Sequence, residues 1–568
     1  MTAATPAAMK IAVTERVMLL SSNEFWILYK QLSTAGKHDA AKLILIERCR
    51  YDVETFALTF FPHYCEYDFN QFHRDCFADW RQNKRRVRRA DAAPRGSAKS
   101  TVKTLIKPIH DLCYGHENFI IIVSDTQSQA VGKLKDIRSE LLDNDLLLSH
   151  FGTFFRSKNV AETSFVARCG DNKVLFQAYG AGSEIRGIRF GQHRPSKIIL
   201  DDAENSEEVF NEEIRAKRED WFKQVISKLG NKTTNIEVVG TVLHKQSLLR
   251  NLFDNPSYRC RMYKAVVSWA DREDLWQKWR EIYGNLESEL EKRQHDSHAF
   301  FLANRVEMMR GAKVLWPERE SYEDLMREMF ELGRKAFFKE LQNEPIASDQ
   351  ALFDTMHWYV EEPDGYRIEK TGVLVPWASL NDSLAAMDPS AGQTKAKPGK
   401  LGDFTSILVG RTDQRGRLFV GCDWTKRAAP TKYIAALFEL WELYRYNKMA
   451  VETNMYRNLL LPNIATEKEA RERKRRADKM EGWAIDVKFY DVENTENKIK
   501  RIYTLEPKVE NGYILFNKNL SAEFKNQMES FPLGEHDDGP DALEMLWKLA
   551  NGRYQATGLP ISAQQRGR

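Results

Sequence analysis

Four short apolar runs, Phe119–Ser124, Val174–Tyr179, Lys197–Leu200 and Ile236–Val239, punctuate residues 85–245 and are separated by amphipathic segments. A strand with one wet face alternates polar and apolar residues, whereas these runs are nearly continuous in Val, Ile, Leu and Phe. They therefore predict strands covered on both faces, in a mainly parallel α/β sheet. A second set begins near 380, with runs at Leu384–Met387, Ser406–Val409, Leu418–Val420, Met449–Val451 and Ile485–Phe489. Turn-rich connections (SAGQTKAKPGKLGD and RTDQRGR) join the first three, which predicts an antiparallel meander. A helix over about Thr431 to Tyr446 leads to the fourth run, giving a second, mixed sheet.

At 568 residues the chain exceeds what one core serves, so two large domains are expected. The pattern predicts a helical N-terminal segment (1–55) and a first α/β domain (56–345) that ends in a charge-rich helical lid or subdomain at about 270–345. A linker (346–380), a second α/β domain (381–557) and a flexible basic tail (558–568) follow. No run of about eighteen apolar residues is present, which excludes a membrane-spanning helix. The first residues show no sustained apolar core after their basic residue, so no signal peptide is expected. Net charge is +4, which points to no partner, but two stretches are densely basic: RQNKRRVRR at 81–89 and KEARERKRRADK at 468–479. Seven scattered cysteines without a CxxC pair suit a reducing compartment. His63, Cys65, His73 and Cys76 lie close in sequence, but their spacing matches no common zinc motif, and ordinary partly buried residues are expected.

The segment Ala93-Pro94-Arg95-Gly96-Ser97-Ala98-Lys99-Ser100-Thr101 has the chemistry of a phosphate loop. Such a loop curls backbone N–H groups around phosphates, with a Lys on the β/γ charge and a hydroxyl on Mg²⁺. Lys99 and Ser100 fill the last two roles, with Thr101 as an alternative hydroxyl. The strict pattern wants Gly where this chain has Ala93 and Ala98, and a plain helix start after a strand explains the segment as well. Downstream, KIILDDAEN ends an apolar run in Asp201-Asp202, suited to hold a Mg²⁺ shell and orient water, or to cap a helix. VVGTVLH then ends a strand at Gly240-Thr241, a position to sense a γ-phosphate. Between them SEIRGIRFGQHRP supplies Arg186 and Arg189, as transition-state arginines, DNA-backbone contacts or salt-bridge partners.

The second domain carries carboxylates at the ends of its runs. Asp388 follows LAAM, Glu452 follows MAV, and Asp537, Asp538 and Asp541 lie in GEHDDGPDALEML. Two-metal phosphodiester cleavage needs carboxylates from different strands converging on ions about 3.5–4 Å apart. The first strand of a meander, a strand after a helix and a final acidic helix is the layout of an RNase H-like fold. Turn and cap roles explain any one of these acids, but hard Mg²⁺ selects an all-carboxylate set.

APRGSAKST, IRGIRFGQHRP, IILDDAEN and VVGT, followed by DPSAG…GDFTSI, AVETN, TENKIKRIYTLEP, ENGYILF and FPLGEHDDGPDAL, resemble in order the large terminase subunit of tailed bacteriophages over about 60–550. The resemblance implies an N-terminal P-loop ATPase of the ASCE type with a mainly parallel sheet, and a C-terminal RNase H-like nuclease with a mixed sheet. That family's deviant phosphate loop has an early Arg, matched by Arg95, so nucleotide contacts are implied for Arg95, Gly96, Ser97, Ala98, Lys99, Ser100, Thr101, Asp201 and Thr241. The adenine-side candidate is Gln71 in YDFNQFHRD. Either Asp202 or Glu204 would position the attacking water, and Arg186, Arg189 or Arg95 would be the arginine finger.

In the nuclease half, the resemblance makes Asp388, Glu452 and Asp538 the core metal ligands and catalytic acids. Asp537 and Asp541 support them, and Asp403 reaches a second metal. Lys498 and Arg501 would face DNA phosphates or lie on a solvated helix face. The implied cofactors are ATP with one Mg²⁺, and two Mg²⁺ or Mn²⁺ ions for cleavage. The implied partners are double-stranded DNA, a portal protein, a small terminase subunit and further copies in a ring, with a monomer in solution compatible. The implied place is the host cytoplasm and, transiently, the procapsid portal, and not the mature virion. Two other readings are a cellular translocase-nuclease of repair or restriction, and a non-catalytic DNA-binding assembly factor with a degenerate ATP site. The absence of a further helicase motif set after 245 weighs against the first, and the full acidic set against the second.

Overall fold

In the computed structural model, strand β2 (Phe119–Ser124) is buried along its whole length, and its side chains divide between two cores. Ile120 and Ile122 enter one, Ile121 and Val123 the other, as the two-residue period of a strand requires. The structure describes residues 17, 20–82, 84–156, 161–205, 208–345, 351–390, 403–453, 457–480, 482–494 and 497–552, so the expected basic tail at 558–568 lies outside them. The chain forms two units: Met1–Asp271 with Met309–Met329 and Lys335–Ile346, and Arg272–Met308 with Phe330–Arg334 and Ala347–Arg568.

The first unit is built on a seven-stranded sheet. Besides β2 it contains β1 (Arg88–Ala92), β3 (Ser164–Cys169), β4 (Asn172–Gly180), β5 (Lys197–Asp201), β6 (Asn235–Gly240) and β7 (Arg259–Met262), in the order β3-β4-β2-β5-β6-β1-β7. All neighbours are parallel except the hairpin β3/β4. One strand, β6, stands between the strand entering the phosphate loop and the strand ending at Asp201, which is the ASCE arrangement. Because β1, β5 and β6 run the same way, Ala92, Asp201 and Gly240 reach one edge together. Helices Ser22–Thr34, His38–Tyr51 and Val53–Phe60 add Phe25, Leu45 and Phe56 to the core on one face of the sheet. A small two-stranded antiparallel sheet, β8 (Val266–Ser268) with β9 (Lys313–Val314), completes the unit's strands among the described residues.

The second unit holds a nine-stranded mixed sheet. Its strands are β10 (His357–Glu362), β11 (Gly365–Ile368), β12 (Leu374–Pro376), β13 (Leu380–Asp388), β14 (Thr405–Asp413), β15 (Leu418–Lys426), β16 (Lys448–Glu452), β17 (Lys488–Val492) and β18 (Ile514–Asn517). The order is β12-β11-β10-β18-β15-β14-β13-β16-β17. Strands β13 to β15 form the expected antiparallel meander, and β16 lies parallel to β13. With β17, parallel to β16, these five strands have the order of an RNase H-like sheet. Leu384 and Ala386 of β13 enter one core and Ala385 and Met387 the other. Helix Asp538–Ala550 supplies Leu543 and Leu546 to the first, and helix Pro430–Tyr444 supplies Leu437 and Trp441 to the second.

Two sequence expectations differ from this architecture. The expected linker at 346–380 contains three strands, β10 to β12, whose short alternating segments (HWYVEE, GYRI, LVP) lack the long apolar runs of a central strand. The helical segment at 270–345 does not stay with the first domain as one piece. Residues Arg272–Met308 belong to the second unit, where Glu287 pairs with Arg417 and the Arg293 guanidinium donates to the Tyr513 hydroxyl at 3.0 Å.

Candidate functional site

The phosphate-loop segment turns tightly between β1 and a helix that opens with wide π-type turns (Thr101–Ile106) before continuing as Lys107–Tyr114. Gly96 has φ +78° and Ala98 has φ +55°. Ala98 stands where the strict pattern has Gly, and it adopts the left-handed backbone that makes Gly usual there. Lys99 is buried and its ammonium donates to the Thr241 hydroxyl at 3.2 Å, with the Asp202 carboxylate 3.6 Å away. Ser100 donates to one oxygen of Asp201 at 3.0 Å, and Thr104, one turn on, donates to the other at 2.7 Å. Asp201 is fully buried and also paired with Lys133 at 2.8 Å. The expected residues of β1, β5 and β6 thus meet at one sheet edge. Lys133 and Thr104 were not singled out by sequence, since a Lys and a Thr on amphipathic helices carry no motif.

Asp202 and Glu204 part ways. Asp202 sits at φ +49°, beside Lys99, and burial raises its carboxyl above the usual range while Lys99 opposes the shift. Both oxygens of Glu204 accept backbone N–H groups, from Leu248 at 2.7 Å and Leu249 at 3.1 Å, so this carboxylate caps helix Leu248–Leu252. Arg186 and Arg189 are exposed on the connection after β4 and form no ion pair with a described residue. Arg95 is also exposed, 3.9 Å from Glu340. Gln71 opens helix Gln71–Trp80 and donates to Asp75 at 2.7 Å. From that same helix His73, not Gln71, touches the loop, its Nε2 lying 2.8 Å from the Ser97 carbonyl. Burial lowers His73 to about 4, so the ring is neutral and Nε2–H is the donor. His73 and Cys76 are buried, His63 pairs with Glu140 and Cys65 donates to the Ala57 carbonyl.

In the second unit, β13 and β16 pair with Met387 opposite Val451, so Asp388 and Glu452 leave neighbouring strands side by side. Asp388, Glu452 and Asp541 have oxygens within 4.8 Å of one another, and Asp403, His536 and Asp538 form a second group within the same limit. Asp541 thus joins the core set and Asp538 stands with Asp403. His536 was not expected. Its Nε2 faces Arg427 at 2.8 Å and its Nδ1 faces Asp403 at 2.9 Å, so Nε2 accepts and Nδ1–H donates. Burial raises Asp388 well above the carboxylate range, with Lys498 opposing and Asp541 and Glu452 adding to the shift. Burial and the Asp403 charge raise Asp538 to about 8. One buried oxygen of Asp538 has no hydrogen-bond partner, which fits a group built to hold a cation.

Lys498 and Arg501 do not face outward as the sequence reading had them. The Lys498 ammonium lies 2.8 Å from Asp537, 3.2 Å from Asp541 and 3.3 Å from Asp388. Arg501 is buried against Asp541 and Glu544, both at 2.8 Å. Within the basic run at 468–479, Arg475 is buried and paired with Glu442, and Arg471 pairs with Glu467 at 2.8 Å. Only part of that run, including Arg473 and Lys474, is exposed.

Among solved structures, this fold is similar to the large terminase of a thermophilic bacteriophage, at 10% identity over 85% of this chain and 99% of that one, with a TM-score of 0.45. It is also similar to the HK97 bacteriophage large terminase (12% identity, 88% and 99% covered, TM-score 0.31). A third is the large terminase ATPase domain of Thermus phage P74-26 (11% identity, 52% and 99% covered, TM-score 0.29). All three are large terminases. No family model and no curated protein matches the sequence. No helix among the described residues is long and apolar enough to cross a membrane.

Proposed function

We propose that this chain is a phage DNA-packaging motor and nuclease, a large terminase subunit. The observation that carries the reading is that one chain builds two sites of different chemistry: Lys99, Ser100, Asp201 and Thr241 at one sheet edge, and a buried carboxylate cluster at another. In the first, Lys99 and the loop N–H groups would bind the nucleotide's phosphates, and Ser100 with Asp201 would hold the accompanying Mg²⁺. Asp202, beside Lys99, would orient the attacking water, since Glu204 is committed to its helix cap. Turnover would drive double-stranded DNA through a portal.

In the second site, Asp388, Glu452 and Asp541 would hold one divalent ion, and Asp403, His536 and Asp538 another, with Asp537 alongside. Such ions supply Lewis-acid stabilisation and a more acidic bound water. The carboxylates position them, and Lys498 must give up its contacts as they load. Cleavage would start and end packaging on concatemeric DNA. In a supercoiled-plasmid assay with Mg²⁺ or Mn²⁺, wild type should nick DNA and Asp388→Ala should not. Lys99→Ala should lose ATP turnover by at least about a hundredfold and keep the nicking activity. Loss of both activities in either single variant would overturn the two-site reading.

A further inference from the structure

The first unit carries a second charged site, at the edge of its sheet opposite the phosphate loop. There β1, β5 and β6 begin, at Arg88, Lys197 and Asn235, around a cavity of about 340 Å³. Four acids line it, and each is already satisfied. Asp79 pairs with Arg89 at 2.6 Å, Glu117 with Arg85 at 2.7 Å, and Asp111 and Glu237 each with Lys197 at 3.0 Å. The same wall holds four further cations, Lys84, Arg86, Arg88 and Arg259, and none has an acidic partner among the described residues. Arg88 lies over the Tyr258 ring at 5.8 Å, a contact that steadies the guanidinium without neutralising it. Arg86 is held at φ +60°, a left-handed conformation costly for a side chain of this size. Unpaired charges of one sign around a concave polar wall focus a positive potential.

We infer that this cavity binds a phosphate-bearing anion, either a free polyphosphate or nucleotide tail, or a phosphate of the DNA backbone. Its volume falls within the range of small-ligand pockets. Its walls are the starts of the strands whose far ends carry Asp201 and Thr241, and Lys107 of the helix after the phosphate loop. A bound phosphate would therefore hold the strands that present the nucleotide site, from the other side. The cavity's charge stands on its own residues, whatever the phosphate loop binds.

The test uses the full chain carrying Lys99→Ala, which removes the phosphate loop's buried lysine and weakens phosphate binding there. Binding of inorganic pyrophosphate is measured by calorimetry, and binding of a short DNA duplex by fluorescence anisotropy across salt concentrations. Adding Lys84→Gln, Arg86→Gln and Arg259→Gln removes three exposed, unpaired charges and leaves the buried pairs intact. If the source is a free phosphate, pyrophosphate affinity drops at least about tenfold and duplex affinity is unchanged. If it is the backbone, duplex affinity drops at least about tenfold and its log-log salt slope falls by roughly three. Unchanged affinity for both probes, in a variant that melts like its parent, overturns the inference. Should the triple variant fold poorly, Arg259→Glu alone is read against the same two affinity outcomes, with the salt slope falling by roughly one.

Discussion

With its ammonium among Asp388, Asp537 and Asp541, Lys498 stands in for the charge a divalent ion would bring. Removing it leaves Asp388 and Asp537 without that cation and Asp541 with Arg501 alone, and the folded state must then take up protons or strain. Lys498→Met should therefore lose about 1–2 kcal/mol of stability in EDTA, a discounted figure because the side chain is a third exposed. Mn²⁺ should restore that loss, and at a lower concentration than stabilises wild type, because the competing cation is gone. Urea unfolding with and without Mn²⁺ measures both, and a variant as stable as wild type in EDTA would sink the idea. Asp538 makes a separate expectation. Burial and Asp403 raise its carboxyl to about 8, so the folded protein keeps a proton that the unfolded chain releases above the ordinary carboxylate range. The native state then binds more protons, and its stability falls as pH rises toward about 8 and levels off beyond. In EDTA, the stability of wild type minus that of Asp538→Asn should fall from about pH 6 to about pH 8 and then stay flat. A signed difference that rises over that range would place the titration elsewhere.

At the scale of elements, the phosphate loop departs from the usual pattern at Ala98, whose φ of +55° costs an L-residue roughly 1–2 kcal/mol. Glycine relieves the strain without altering the loop, whereas a β-branched side chain opposes it. Ala98→Gly should keep ATP turnover within about twofold, and Ala98→Val should lose it by at least about tenfold. Equal turnover in the two variants would mean that the loop straightens in use. The central elements were legible because burial on both faces leaves a compositional trace: β2 coincides with the run read from sequence, and the runs within β4, β5, β6, β13 and β16 lie inside the observed strands. Peripheral strands leave less. In β3 buried residues alternate with partly exposed ones, and β10 to β12 are short and carry Glu, Arg and Pro, so neither set stands out from a loop. Strand ends bearing acids were legible for the same reason as the strands, which is why Asp201, Asp388 and Glu452 were found. His536 and the inward turn of Lys498 were not, because nothing in local sequence says which way a loop histidine or a helix-start lysine points. The buried pairs of Lys103 and Lys197 with Glu237 were hidden likewise, since charged residues in a sequence read as surface.

For the whole molecule, the strand order bears on where the arginine finger acts. Arg186 follows β4, and β4 lies four strands from β1, roughly 19 Å at a spacing of about 4.8 Å per strand. Its guanidinium is exposed and forms no ion pair with a described residue, as suits a group that finds its anion on another copy of the chain. If copies of this chain form the proposed ring, each contact is heterologous, and one subunit's phosphate loop would meet its neighbour's Arg186. Lys99→Ala and Arg186→Ala should each abolish DNA-stimulated ATP turnover alone. Mixed in equal amounts under assembling conditions, they should regain about a quarter of wild-type turnover, because one interface in four joins an intact loop to an intact arginine. If Arg186 served its own subunit, no interface in the mixture would hold both groups and turnover would stay absent. If Arg186→Ala alone kept wild-type turnover, Arg189 or Arg95 would take the role, and the same mixing experiment would assign it.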